Sequence, residues 1–366
     1  MRDATLVTLP GQLEAAVFRL QGASRLAVDT EFMRERTYRA QLCLVQVASD
    51  TDCYLVDPLA GLDLAPLFAT LADRGRLKIL HAARQDLEVL LQSGGCVPAP
   101  VFDTQVAAAL LGLPPQVGYA ELIARRLGHS IDKGQTRTDW SRRPLTDAQL
   151  AYAADDVHHL LELHTDLAAA LAAQGRAAWH AEDCAALEDS ALYRTEPADA
   201  WRRLRGLGRL RPREQAVARA LAGWREQRAI DSDKPRGWIL ADEALYEIAT
   251  RLPGSAQDLE RIPGLPPALV RKRGEELLAL VAAAAGAAVE VATEPTASRP
   301  TPEQTRRIGE LQQRVRDRAA ALGVNPEVLA TRRDVEALVL GPREASALTR
   351  GWRRETIGEE LLALAG

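Results

Sequence analysis

Cysteine is scarce and scattered in this chain: Cys43, Cys53, Cys96 and Cys184 are the only four among 366 residues. None forms a Cys-x-x-Cys pair or sits at metal-site spacing, which argues against a disulfide scaffold or a zinc ribbon and fits reduced thiols filling a core. Long apolar runs are also missing. The longest, Leu277 to Val289, is mostly alanine and falls short of the roughly 20 residues a membrane-spanning helix needs. The opening MRDATLVTLPG has no apolar secretory core, so a cytoplasmic location without a membrane segment is expected. No Gly-Lys dipeptide occurs; that removes the Walker A loop, and with it a nucleotide-driven helicase.

What is present describes an ordinary globular protein, 47% hydrophobic and 26% charged, long enough for two or three cores. The net charge of −4 hides an asymmetry. Up to Glu196 there are 18 Lys/Arg against 26 Asp/Glu; beyond it the counts are 28 and 24. The basic excess lies between Trp201 and Trp238, beginning with WRRLRGLGRLRPREQ. Such a run reads either as a solvated face or as a module that neutralises phosphates.

The first part alternates strand and helix signals. Thr5–Thr8, Arg25–Asp29 and Lys78–His81 read as strands, and Gln41–Val47 with Cys53–Val56 reads as a hairpin. Helices are expected over Pro10–Gln21, Arg84–Gln92, Thr104–Leu111 and Gly118–Leu127. A long one should run from Thr146 to Ala173, with Thr146 and Gln149 forming a capping box. This pattern predicts a mixed sheet flanked by helices. Beyond Arg194 the signals are helical throughout. Gly274–Leu280 recurs letter for letter as Gly358–Leu364, and Ala249-Thr250-Arg251 is echoed by Ala330-Thr331-Arg332. Two copies of a small helical domain are therefore expected, joined by the Pro/Thr/Ala-rich stretch EVATEPTASRPTPE.

Carboxylates carry the chemistry. Asp-x-Glu occurs four times, at Asp29, Asp86, Asp258 and Asp334. The last three fall in helical patterns, where residues two apart face different ways. Only Asp29 and Glu31 follow a short buried-strand signal, Leu26-Ala27-Val28, so only they aim at one point. Tyr152 and Asp156, four apart on a helix, can meet. Converging carboxylates repel one another unless cations sit between them, and hard oxygen donors suit Mg²⁺ or Mn²⁺. A pair of such ions about 3.5–4 Å apart is common machinery for cutting phosphodiesters. The bland readings stay open: solvated surface acids, Asp86 as a helix N-terminal carboxylate, Tyr152 as an amphipathic core residue, and Asp155 in place of Asp156. His81 reads as structural.

These motifs resemble those of the DEDD superfamily of 3′→5′ exonucleases, and specifically the ribonuclease D family. LAVDTEFMRERTY looks like its first motif, ILHAARQDLEVL its second, and TDWSRRPLTDAQLAYAADDVHHL its third. The resemblance implies an α/β N-terminal domain, a ribonuclease H-like mixed five-stranded sheet flanked by helices, followed by two all-α HRDC-like domains. Boundaries follow: 1–195 for the exonuclease domain with its catalytic core to about 172, 203–289 for the first helical domain, 290–302 for the linker and 303–366 for a divergent second copy.

The resemblance also implies roles. Asp29 would bridge two metals, Glu31 and Asp156 would complete the shell of the one that activates water, and Asp86 would hold the second. Tyr152 places the chain in the tyrosine subclass, since the histidine subclass wants His where Ala151 stands. Lys133, Gln135 and Trp140 lie in a loop that the family places near substrate, although a surface loop with an anchored Trp fits equally. Arg203, Arg205, Arg209 and Arg211, with Arg202, Arg213, Trp201 and Trp238, are candidates for phosphate and base contacts. The implied activity is removal of single nucleotides from RNA 3′ ends with two Mg²⁺ or Mn²⁺, on tRNA precursors, with no small-molecule cofactor. The alternatives are a DNA 3′→5′ exonuclease and a non-catalytic nucleic-acid-binding or adaptor protein.

Overall fold

The computed structural model describes residues 4–131, 138–287 and 300–365. Lys133, Gln135 and most of the expected linker lie outside the described residues. The chain divides into two compact units, one of residues 1–33, 42–193 and 299–366, the other of 34–41 and 194–298.

The first unit is built on a six-stranded sheet. Its strands are β1 (Thr5–Val7), β2 (Arg25–Met33), β3 (Gln41–Ala48), β4 (Cys53–Val56), β5 (Leu77–Leu80) and β6 (Val101–Asp103), in the order β1-β4-β3-β2-β5-β6. β3 and β4 form the expected antiparallel hairpin, with Val45 opposite Val56, while β1–β4, β2–β5 and β5–β6 are parallel. The sheet is mixed, as expected, but has one strand more than the five anticipated. β6 is three residues long and follows Cys96-Val97-Pro98-Ala99-Pro100, too short to show an alternation.

Helices α1 (Pro10–Gln21), α2 (Ala65–Ala72), α3 (Arg84–Gly94), α4 (Thr104–Leu110), α5 (Tyr119–Leu127), α6 (Asp147–His158), α7 (Leu160–Ala173) and α8 (Ala177–Leu187) flank it. The capping box at Thr146 and Gln149 is present. The long helix expected from it is broken at His159, which caps α6 and starts α7.

The second unit holds α9 (Pro212–Ser232), α10 (Arg236–Ile239), α11 (Asp242–Arg251), α12 (Ala256–Glu260) and α13 (Pro267–Gly286) around a core that includes Val217, Leu221, Leu245, Ile248, Leu259 and Leu277. Residues 34–41 belong to it. Tyr38 donates to the buried Glu226 carboxylate at 2.5 Å, and the Arg236 guanidinium, 4.7 Å over the Tyr38 ring, also pairs with Glu226.

A similar series of elements closes the chain: α14 (Pro302–Leu322), α15 (Pro326–Leu329), α16 (Arg332–Leu340) and a helical run over 351–365. α9 and α14 are both 21 residues, α10 and α15 both 4, and α11 and α16 are 10 and 9. Gly274 and Gly358 are each the eighth residue of the closing helix. A side chain at Gly358 would collide with the Leu348 carbonyl oxygen, so the close approach requires glycine. The Ala-Thr-Arg echo falls on non-equivalent places, the end of α11 and the start of α16, and is a coincidence of composition.

Residues 299–366 lie in the first unit rather than in a body of their own. Ile308, Leu311, Val315, Val335, Leu338, Trp352 and Leu361 share one buried core with Ala107–Leu110 of α4 and Leu160–Leu171 of α7. Trp352 stacks on Trp179 at 4.5 Å, and Arg353 pairs with Asp183 at 2.5 Å.

Candidate active site

β2 outruns β5. Their pairing ends at Ala27–Ile79, so Asp29 and Glu31 project beyond the C-terminal end of a parallel neighbour, where ligands of α/β sheets collect. The alternation of β2 turns both side chains into a cleft of about 720 Å³. α3 and α6 supply Asp86 and the Tyr152–Asp156 pair to the same cleft. One oxygen each of Asp29, Glu31 and Asp156 lie within 4.8 Å of one another. Asp86 is tied to this group by the hydroxyl of Thr30, which donates to its Oδ1 at 2.6 Å. All five residues singled out in the sequence therefore meet in one place. Asp155 does not line the cleft.

The electrostatics follow from burial and repulsion. Burial, then the charge of Asp156, pushes the Asp29 carboxyl up to about 8. Burial, then Asp29, Asp156 and Asp86, pushes Glu31 up to about 9. Asp86 is raised well above the carboxylate range by burial and by Asp29, against the pull of the Thr30 hydroxyl. Burial lifts Asp156 to about 7, opposed by the hydrogen bond it accepts from Tyr152. The same burial and the neighbouring acids raise the Tyr152 phenol, keeping it a protonated donor. Four carboxyls whose pKa values are all raised, by burial first and by neighbouring acids second, form a site built for positive charge.

Two supporting residues escaped the sequence reading. Asp103, buried at the end of β6, accepts from the backbone N–H groups of Ala82 and Ala83 at 3.1 and 2.8 Å and of Gln105 at 2.8 Å. It thereby caps α4 and holds the turn before α3, where Ala82 has φ 55°, and so sets the position of Asp86. An Asp before Thr at a helix start was the available signal. Arg143 forms a two-pronged pair with the buried Asp57, both contacts 2.6 Å, and donates to the carbonyls of Cys43 and Trp140 at 2.7 and 2.8 Å. His81 is bonded to Thr104 and to the Val117 carbonyl, as a structural residue would be.

Trp140 keeps only 4% of its surface exposed and packs with Cys43, Leu44, Leu55 and Ala153, 6.1 Å from the Tyr152 ring. An enclosed ring has no face left for a base, so its place fits the anchored alternative. In the second unit Arg203, Arg205, Arg209 and Arg211 are exposed, Arg203 bonding the Thr195 hydroxyl. Trp201 is already covered by the guanidinium groups of Arg219 and Arg202, at 4.0 and 4.9 Å, whereas Trp238 is 63% exposed.

The chain is similar to known proteins over nearly its whole length. Residues 5–172 match a family model described as 3′-5′ exonuclease, and residues 214–281 match the HRDC domain. A ribonuclease D of Acidiphilium cryptum is 40% identical over all of this chain and 93% of its own length. The chain belongs to the ribonuclease D family. A second ribonuclease D, from Gluconacetobacter diazotrophicus, is 41% identical over 99% of this chain and 93% of its own. The crystal structure of Escherichia coli RNase D superimposes with a TM-score of 0.90 at 33% identity, covering 99% of this chain and 98% of that one. As a ribonuclease D, the chain is a metal-dependent 3′→5′ exoribonuclease that also carries an HRDC domain over residues 214–281. No helix among the described residues is long and apolar enough to cross a membrane.

Proposed function

We propose that this ribonuclease D removes single nucleotides from RNA 3′ ends at Asp29, Glu31, Asp86, Tyr152 and Asp156, releases 5′-mononucleotides, and matures tRNA precursor 3′ trailers in the cytoplasm. The observation that carries the reading is the convergence of three carboxylates within 4.8 Å, with Asp86 tied to them through Thr30. The donor set fits two hard divalent cations, Mg²⁺ or Mn²⁺: every ligand is a carboxylate oxygen, and the acids repel strongly without positive charge between them. Asp29, central to the cluster, would be shared between both; Glu31 and Asp156 would complete one shell and Asp86 the other. Such ions, when bound, lower the pKa of attacking water and take up charge on the leaving oxygen.

The chain's own groups do the rest. The Tyr152 phenol, held protonated and donating its one proton to Asp156, orients an attacking water by accepting from it at the phenol oxygen, without acting as its base. Arg84, exposed on the cleft wall, reaches toward the phosphates that an uncharged wall would not hold. The exposed arginines of the first HRDC-like domain hold the RNA body by its backbone. The test uses matched 5′-labelled RNA and DNA oligonucleotides with and without Mg²⁺ or Mn²⁺, and Asp29→Asn. A metal-dependent single-nucleotide ladder on RNA that vanishes in the variant is expected. Internal cuts, metal independence or an active variant would overturn the mechanism; faster digestion of DNA would overturn the substrate.

A further inference from the structure

Three of the six histidines of the chain meet outside the carboxylate cluster. His129 follows Gly128, the αL residue that ends α5. His159 sits at the break between α6 and α7, and Glu162 lies in the first turn of α7. The Glu162 Oε2 atom is 3.8 Å from His159 Nδ1 and 4.0 Å from His129 Nε2. One ligand atom from each of the three falls within 4.8 Å of the others. The two rings stack at 4.9 Å, and His158 meets His159 edge-on at 4.7 Å. Burial, then the neighbouring His158 and His129 rings, lowers the pKa of His159.

We propose that His129, His159 and Glu162 form a second cation site, which takes one borderline divalent ion of the Zn²⁺ type and ties the end of α5 to the α6–α7 junction. Two imidazoles and a carboxylate with an open fourth position are a familiar zinc donor set. Tetrahedral ligands at about 2.1 Å stand roughly 3.4 Å apart, so the observed pairs close onto an ion by small turns of the side chains. His129 and Glu162 are 49% and 59% exposed and free to make them. Nitrogen donors separate this site from the all-oxygen centre: Mg²⁺ favours carboxylates and water, Zn²⁺ accepts imidazole. The junction lies three residues beyond Asp156, so occupancy would brace the end of the helix that carries Tyr152 and Asp156.

The test titrates the full chain with Zn²⁺ in excess Mg²⁺, by calorimetry and by competition with a chromophoric chelator, and repeats it with Co²⁺ as a spectroscopic probe of nitrogen ligation. The wild type should bind one more equivalent than His129→Ala or Glu162→Gln, and Asp29→Asn should keep that equivalent. Co²⁺ should give the wild type a visible ligand-field band that His129→Ala lacks. Equal stoichiometry in the wild type and both site variants, or loss of the extra equivalent in Asp29→Asn alone, would overturn the proposal.

Discussion

Asp29→Asn should make the metal-free protein more stable while abolishing its activity. One oxygen each of Glu31 and Asp156 lies within 4.8 Å of an Asp29 oxygen. At that distance and an effective dielectric of about 20, each like-charged pair costs on the order of 3.5 kcal/mol. Burial, then the charge of Asp156, holds the Asp29 carboxyl at about 8, against its ordinary 3.8. The folded value is the higher one, so proton binding by Asp29 contributes stability that is fully present below the unfolded value and is lost as the pH rises through 8. The full span would be about 6 kcal/mol; sharing of the repulsion among four acids and local relaxation reduce the gain from the variant to about 2–3 kcal/mol. For a body of this size that is a melting shift of roughly 4–6 °C. The assay is thermal unfolding in a chelator at several pH values. The variant's advantage should be absent near the unfolded pKa and grow toward pH 8, and Mg²⁺ should stabilise the wild type far more. A variant that melts below the wild type at pH 8 in chelator, or a gap that does not grow with pH, refutes the reasoning.

Tyr152→Phe removes the hydroxyl that orients water and bonds Asp156; single-turnover kinetics should show kcat lower by about 10²-fold with KM nearly unchanged. Thr30→Val deletes the donor to Asp86, so the Asp86 carboxyl rises further and its proton competes harder with metal. The Mg²⁺ concentration for half-maximal activity should rise about 10-fold near pH 7, and the difference should shrink as the pH rises. Arg143→Ala strands the buried Asp57 charge and should cost about 3–5 kcal/mol by denaturant unfolding, with Arg143→Lys recovering only part. Replacing Arg205, Arg209 and Arg211 together by Ala should weaken RNA binding at low salt and reduce the slope of log affinity against log salt by about 2, measured by fluorescence anisotropy.

Much of the site was legible because it rests on local periodicity. The apolar run before Asp29 identified a strand, and strand alternation then aimed Asp29 and Glu31 together. Helical spacing joined Tyr152 to Asp156. Asp86 was ambiguous from its surroundings, since a carboxylate in the first turn of α3 is favoured by the helix dipole whether or not it has a further role. The family motif, rather than periodicity, singled it out. The supports were hidden because they act across long separations: Arg143 meets Asp57, 86 positions earlier, and no window along the chain shows that. The break at His159 was masked because leucines continue the helical pattern through it. Periodicity also says that a helical face is buried without naming what covers it. The last helices therefore read as a separate repeat, whereas in the fold they share a core with α4 and α7.

That shared core has a consequence for how the enzyme is made. Residues up to 193 leave the ribosome before residues 300–365, yet Arg176 donates to the carbonyls of both Leu110 and Leu322, and Trp179 waits for Trp352. At about 5–20 residues per second, synthesis of the intervening second unit and the final helices takes on the order of 10–30 s. During that interval the nuclease domain holds an uncovered apolar face. Two similar series of helices thus stand differently in one chain: those of the second unit keep exposed arginines, and those of residues 300–365 form a wall of the first unit. Removing residues 300–365 would not trim an accessory. It would leave the nuclease in the unfinished state that every nascent copy passes through.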